Sequence, residues 1–211
     1  MSQLYPILTD LNERKVVVVG GGNVAQRKVQ SLLACQAQVT LISPQFTKTL
    51  EKWAQAGDIQ LLQRPYQSGD LEGAWLVIAA TGEEQVNREI LREANEKHIF
   101  CNVVDVPELC SFQVPAVVNR GDLQIAVSTG GASPALAKQI RKELQQEYAE
   151  HYESFLKGLR DLREHFKVKY PDDQPRRAEL LEGFVNSEAL ELLRQGKKDR
   201  FQQLLDDWKQ R

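Results

Sequence analysis

The chain of 211 residues has no long apolar run, no block of like charge and only three cysteines. Each absence removes a class of function. A membrane-spanning helix needs about 18 or more consecutive apolar residues, and no stretch supplies them. The opening "MSQLYPILTDL" lacks the basic start and apolar block of a secretory signal, so a cytoplasmic protein is expected. Net charge is −2, with both signs interspersed, which gives no reason to expect nucleic acid or an anionic membrane as partner. Cys35, Cys101 and Cys110 are odd in number and far apart, and none forms a CxxC pair. A disulfide framework and a structural zinc site are therefore not expected, and a reducing compartment fits. His98, His151 and His165 are scattered and form no ligand spacing, so no metal ligand is assigned.

What is present is an alternation of short β-branched runs and helical stripes. "VVVV" (16–19) ends in glycine, and Val24, Ala25, Val29, Leu32 and Leu33 then recur at helical spacing. "QVTLIS", "DIQLLQRPY", "AWLVIAAT" (74–81) and "IFCNVV" (99–104) read as further strands. The fourth is apolar enough to be buried on both faces. Stripes through Phe46, Leu50, Trp53 and Ala54, and through Val86, Ile90, Leu91 and Ala94, supply helices. The pattern predicts a Rossmann-like α/β fold with a parallel sheet. Beyond it, Phe112, Val114, Ala116 and Val118 alternate, then Leu123, Ile125 and Val127, with a turn at "NRGD" (119–122). This is a small antiparallel strand pair. From Ser133 a stripe through Leu136, Ile140, Leu144, Tyr148, Tyr152, Phe155, Leu159 and Leu162 predicts one long helix, broken at "YPDDQP" (170–175) and followed by a helical C-terminal region. The expected division is 1–111 as the dinucleotide-binding domain, 112–150 as the strand pair, Gly-rich loop and start of the long helix, and 151–211 as a helical domain.

Gly20-x-Gly22-x-x-Ala25 follows a strand and opens a helix, the context that gives a dinucleotide fingerprint its meaning. Amides near Asn23 and Val24 would face a pyrophosphate, helped by the helix dipole. The alternative is a plain glycine turn. About twenty residues on, a Rossmann domain usually presents a ribose-binding acid. Here Ser43 and Pro44 end the second strand, with no acid and no close arginine. Residues alone favour a nicotinamide dinucleotide and leave NAD and NADP open.

Ligands of open α/β sheets lie beyond the carboxyl ends of the strands. Thr81, closing the fourth strand, is counted with the cofactor-binding candidates. Asp105, just after the fifth, is a candidate general base for a hydride-transfer reaction, or a loop-capping aspartate. "VSTGGASPALAKQI" (127–140) is a second Gly-rich turn, with Ser133 as N-cap and Pro134 as the first helical residue. Ser128, Thr129, Gly130, Gly131 and Ser133 are substrate-binding candidates, their free amides suited to carboxylates; a purely structural turn is the alternative.

Taken together, "VVVVGGGNVAQRK", "AWLVIAAT", "FCNVVDVPELCSFQVPAVV" and "GDLQIAVSTGGASPALAKQIRKEL" resemble the precorrin-2 dehydrogenase family. Some of its members are also sirohydrochlorin ferrochelatases, and some form the N-terminal part of siroheme synthase. The resemblance covers residues 1 to about 150; the rest matches as a helical tail. It implies NAD-dependent oxidation of precorrin-2 to sirohydrochlorin, with Asp105 as the catalytic aspartate. Gly22, Asn23 and Val24 match the pyrophosphate turn, and Ser43 and Pro44 the ribose contact. The missing acid is at home in this family. It further implies a homodimer and, in the bifunctional members, insertion of ferrous iron. No room is seen for the methyltransferase module, so a stand-alone form is expected. A carboxylate-rich tetrapyrrole wants cations nearby; Arg120, Lys138 and Arg141 lie in or beside the second loop, although such residues are more often solvated surface charges. Two other readings stay open: a dinucleotide-sensing regulatory module, and a tetrapyrrole chelatase or carrier without hydride transfer.

Overall fold

The run Lys15–Val19 (β1) is the centre of a five-stranded parallel sheet, with Gln38–Ile42 (β2), Ile59–Leu62 (β3), Leu76–Ala79 (β4) and Phe100–Val103 (β5) in the spatial order β3-β2-β1-β4-β5. β1 pairs with β2 from Lys15↔Gln38 to Val19↔Ile42, and with β4 from Val16↔Leu76 to Val19↔Ala79. The computed structural model describes residues 4–211. Met1–Gln3, the start of the stretch read above for a leader, lie outside the described residues.

Alternation explains why four consecutive valines form the central strand. Val16 and Val18 pack with Ala25, Val29 and Leu32 of Asn23–Ala34 (α1) and with Leu50 of Lys48–Gln55 (α2). Val17 and Val19 point the other way, onto Ile90 and Ala94 of Glu84–Glu96 (α3). Each valine is fully or nearly fully buried, worth about 2 kcal/mol apiece in apolar transfer. A strand covered on both faces needs this continuous apolar character rather than alternation.

The regular strand–helix alternation fails once. Residues 63–75, between β3 and β4, contain turns and no helix. Polar bonds hold this crossover instead. Arg64 makes a bidentate pair with Asp70, at 2.8 and 2.6 Å. The Glu93 carboxylate, 4% exposed on α3, accepts from the Tyr66 hydroxyl, from the Gly69 amide at 2.9 Å and from the Leu71 amide at 3.2 Å. Burial, together with the bond to Glu93, keeps the Tyr66 phenol protonated far above its usual range.

The chain divides into two compact units, the first ending at Val114 and the second spanning Pro115–Arg211. In the second, Ala116–Arg120 (β6) and Leu123–Val127 (β7) pair antiparallel, Arg120 opposite Leu123. The turn is tighter than the expected four residues. Asn119 and Arg120 belong to the strand, and Gly121, at φ 58°, takes the first turn position, where a two-residue hairpin favours glycine.

The expected long helix is two helices, Pro134–Glu147 (α4) and His151–Lys169 (α5). Tyr148, at φ −96° and ψ 72°, leaves the helical path without any glycine or proline. The apolar stripe is continuous in sequence, but its two halves have different partners. α4 lies on β6 and β7, while α5 packs on Gln174–Val185 (α6), Ala189–Arg194 (α7) and Lys198–Gln210 (α8). There Phe155 stacks on Phe184 with ring centroids 5.7 Å apart, and Trp208 meets Phe184 edge-on. The hairpin tip is tied to α5 by an Asp122–Arg160 ion pair.

Glu93→Ala strands three donors, and urea unfolding should show a loss of about 3 kcal/mol, against about 1 kcal/mol for Tyr66→Phe, which removes one. Equal losses from the two variants would show that the crossover does not depend on Glu93.

Candidate functional site

β1 and β4 are adjacent, and the helices that follow them lie on opposite faces of the sheet, so the crevice opens between their carboxyl ends. Gly20, Gly22, Asn23 and Val24 follow β1, Ser43 and Pro44 follow β2, Thr81 follows β4 and Asp105 follows β5. The fold brings all eight to the same edge of one sheet.

The three glycines have three different reasons. Gly20 sits at φ 120°, and a Cβ there would collide with the Ala80 carbonyl at the end of β4. A Cβ on Gly21 would collide with the Gln45 carbonyl in the β2–α2 connection, whose Thr47 amide donates to the Gly21 carbonyl at 3.0 Å. Gly22 has open space around it, is exposed, and is the N-cap of α1. The turn is thus wedged between two loops through its first two glycines and presents its third outward. The first amides of α1, at Asn23 and Val24, have no intrahelical acceptor, and they carry the positive end of the helix dipole. This arrangement fits the pyrophosphate of a dinucleotide. The fingerprint passes over Gly21, as well as Gln45 and Thr47; the run of three glycines and the capping threonine ahead of α2 were the available signals. Thr47 caps α2 by accepting from the Leu50 amide, and its hydroxyl donates to Gln26 on α1 at 2.7 Å.

Ser43 is 9% exposed, and its amide donates to the Leu62 carbonyl at 3.2 Å. Pro44 is exposed, its carbonyl accepting from Gln63 at 3.4 Å. Thr81 is half-buried; its hydroxyl accepts from the Glu83 amide at 3.1 Å, closing the turn into α3.

Asp105 is exposed and adopts a left-handed backbone, φ 63°. Among non-glycine residues aspartate is one of the few that tolerate this region, and strained backbone of this kind collects at functional sites. The loop carrying it is clasped at its base. Ser111 bonds Cys101 three times: its hydroxyl accepts from the Cys101 amide at 2.7 Å and donates to the Cys101 carbonyl at 3.3 Å, and its own amide donates to that carbonyl at 2.8 Å. The Cys110 sulfur accepts from the Val103 amide at 3.3 Å, and its thiol lies within bonding distance of the Val103 and Val106 carbonyls, at 3.2 and 3.3 Å. Asn102 donates to the Phe112 carbonyl at 3.0 Å. Burial pushes the Cys110 thiol up, and Cys101 up to about 12. Lys28 on α1 shares this neighbourhood. Its ammonium is held below the usual range by burial and by Arg27, with Asp105 and Cys110 pulling the other way.

Ser128, Thr129, Gly130, Gly131 and Ser133 lie in the second unit, between β7 and α4. Ser133 caps α4 by accepting from the Leu136 amide, with Pro134 next, as the sequence indicates. Thr129 and Ser133 bond reciprocally at 3.1 Å, and the Ser128 hydroxyl accepts from Gly130 at 3.1 Å. Gly130 and Gly131, at φ 61° and 87°, have open space around them. Of the cations considered, Arg120 bonds the Asn119 and Gln145 carbonyls, and Arg141 the Gln145 side chain. Among the described residues no group of three metal-binding side chains occurs, and no helix is long and apolar enough to cross a membrane.

The chain is similar to known proteins in both sequence and fold. A family model described as putative NAD(P)-binding matches residues 7–116, and one described as sirohaem biosynthesis protein central matches residues 120–147. The chain belongs to the putative NAD(P)-binding family, and it also carries a segment that matches the sirohaem biosynthesis central model. Among relatives, the siroheme synthase of Methylobacillus flagellatus is 37% identical over 206 residues, covering 96% of this chain and 44% of that protein. The siroheme synthase of Escherichia coli O157:H7 is 36% identical over 188 residues, covering 89% and 41%. The chain therefore spans less than half the length of these relatives. A solved structure titled SirC, precorrin-2 dehydrogenase, superimposes with a TM-score of 0.78 at 27% identity, covering 97% of this chain and all of that one. The family membership and the Rossmann-like fold are both as the sequence indicates.

Gly21 and Gly22, although neighbours, should respond differently to a methyl group. Gly21→Ala should lower apo-protein stability by about 2 kcal/mol, because a backbone carbonyl must move. Gly22→Ala should leave the apo melting temperature near the wild-type value while weakening NAD binding about tenfold, since it intrudes only where pyrophosphate approaches. Thermal melts and calorimetric NAD titration of both variants check this; a Gly22→Ala protein that binds NAD normally would remove the pyrophosphate from this turn.

Proposed function

We propose that this chain is an NAD-dependent precorrin-2 dehydrogenase that forms sirohydrochlorin on the route to siroheme. The observation that carries the proposal is Asp105, held in a left-handed conformation at the carboxyl end of β5, on the same sheet edge as the open Gly22 turn. The family and the full-length likeness to a precorrin-2 dehydrogenase structure support it. Bound NAD supplies a hydride acceptor. The protein's part is to hold the pyrophosphate at Gly22, Asn23 and Val24, the ribose at Ser43 and Pro44 and the nicotinamide side at Thr81. Gly20 lets the turn close against Ala80. Oxidation removes a hydride and a proton from the substrate, and Asp105 takes the proton. Ser128, Thr129, Gly130, Gly131 and Ser133 serve as the substrate-side loop, the open backbone of its two glycines suited to tetrapyrrole carboxylates.

We extend the reading to iron insertion. The tetrapyrrole supplies the metal ligands itself, so ferrous iron enters as a substrate and the protein need only accept pyrrole protons, a role that falls to Asp105. A cytoplasmic setting fits three unpaired cysteines. A homodimer is part of the proposal. Its support is the apolar surface of the second unit, where Leu136 is 48% exposed and only Ala137 of α4 is buried.

The decisive test is NADH formation from anaerobically generated precorrin-2. Asp105→Asn keeps a residue that tolerates the left-handed backbone but removes the base. It should bind NAD as the wild type does and lose about a hundredfold or more in kcat. NAD binding without turnover in the wild type would support a sensor or carrier instead. For the dimer, sedimentation should show wild-type protein at twice the mass of Leu136→Glu; equal masses would remove α4 from the interface.

A further inference from the structure

The β4–α3 turn has a support that the fingerprint does not mention. Asn87, in the second turn of α3, is 5% exposed. Its side-chain nitrogen donates to the Thr81 carbonyl at 3.2 Å. Its side-chain oxygen is buried with no hydrogen-bond partner. Position 87 sits on the buried face of α3, in register with Ile90 and Ala94, where an apolar side chain is the ordinary choice. A half-satisfied buried amide costs stability unless a partner arrives in some other state.

The turn that Asn87 holds is one wall of the crevice. The Ala80 amide bonds the Val19 carbonyl at 2.7 Å, and the Ala80 carbonyl occupies the space that a side chain on Gly20 would need. Thr81 is the next residue, so its position relative to the glycine turn depends on what grips its carbonyl. Within the described residues that grip comes from Asn87.

We infer that Asn87 is a cofactor-positioning residue, fixing the Thr81 turn opposite Gly20–Gly22 and keeping its free oxygen for a hydroxyl donor that arrives with the dinucleotide, a ribose hydroxyl or the water it carries. The inference rests on the reading of this crevice as the NAD site, but not on the identity of the oxidised substrate.

A positioning role predicts lost NAD affinity at nearly unchanged stability, and a structural one predicts lost stability at unchanged affinity. Asn87→Leu removes the unpaired oxygen and, with it, the donor to the half-buried Thr81 carbonyl, so the two effects offset and the apo protein should melt near the wild-type temperature. NAD affinity, measured by calorimetric titration of the full chain, should fall about tenfold, the scale of one lost hydrogen bond. Asn87→Asp, which keeps the shape but sets a carboxylate against the Thr81 carbonyl, should fall by at least as much, and it carries the test if the leucine variant does not fold. In turnover with precorrin-2, KM for NAD should rise more than kcat falls. Normal NAD affinity in either folded variant overturns the inference while leaving the NAD reading intact, provided Gly22→Ala weakens binding. Wild-type protein that binds no NAD overturns both.

Discussion

The site depends on a contact between backbones. Gly20 and Gly21 are pressed between two carbonyl oxygens, of Ala80 from β4 and of Gln45 from the β2–α2 connection, so closely that neither position admits a Cβ. Three strand ends are thereby locked to one turn. Because the contact involves no side chain, it fixes the crevice without spending any group that a ligand could use. Gly22, freed from this duty, faces outward at the start of α1.

The same economy marks the Asp105 loop. A strand at the edge of a sheet leaves backbone groups unpaired, and β5 is such an edge. Ser111 and Cys110 return along it and satisfy those groups, closing the loop whose tip is Asp105. The catalytic candidate is exposed and strained, yet the segment under it is pinned at several points. Strain persists only where the surroundings over-determine it, and here they do.

Buried polar groups divide by whether they are complete. Glu93 has three donors and acts as a structural anchor for a crossover that lacks a helix. Asn87, equally buried on the same helix, is satisfied on one side only. That contrast, rather than burial itself, separates a group whose hydrogen bonds are complete from one with an acceptor to spare.

Much of this was legible in the amino-acid order because local rules agree with the global fold. Four valines at the centre, helical stripes between strands and a glycine turn in the first βαβ unit determine a parallel sheet, and Ser133–Pro134 determine a helix start. The order of residues also placed Asp105 beyond a strand end and so near the crevice. Tertiary structure alone decided the rest. Whether the stripe from Leu136 is one helix or two depends on which partner each half meets, and periodicity cannot see partners. The absent helix between β3 and β4 is replaced by bonds to Glu93, distant in sequence. The duties of Gly21 and Asn87 come from carbonyls brought to them by other strands and turns, so only the folded chain could assign them.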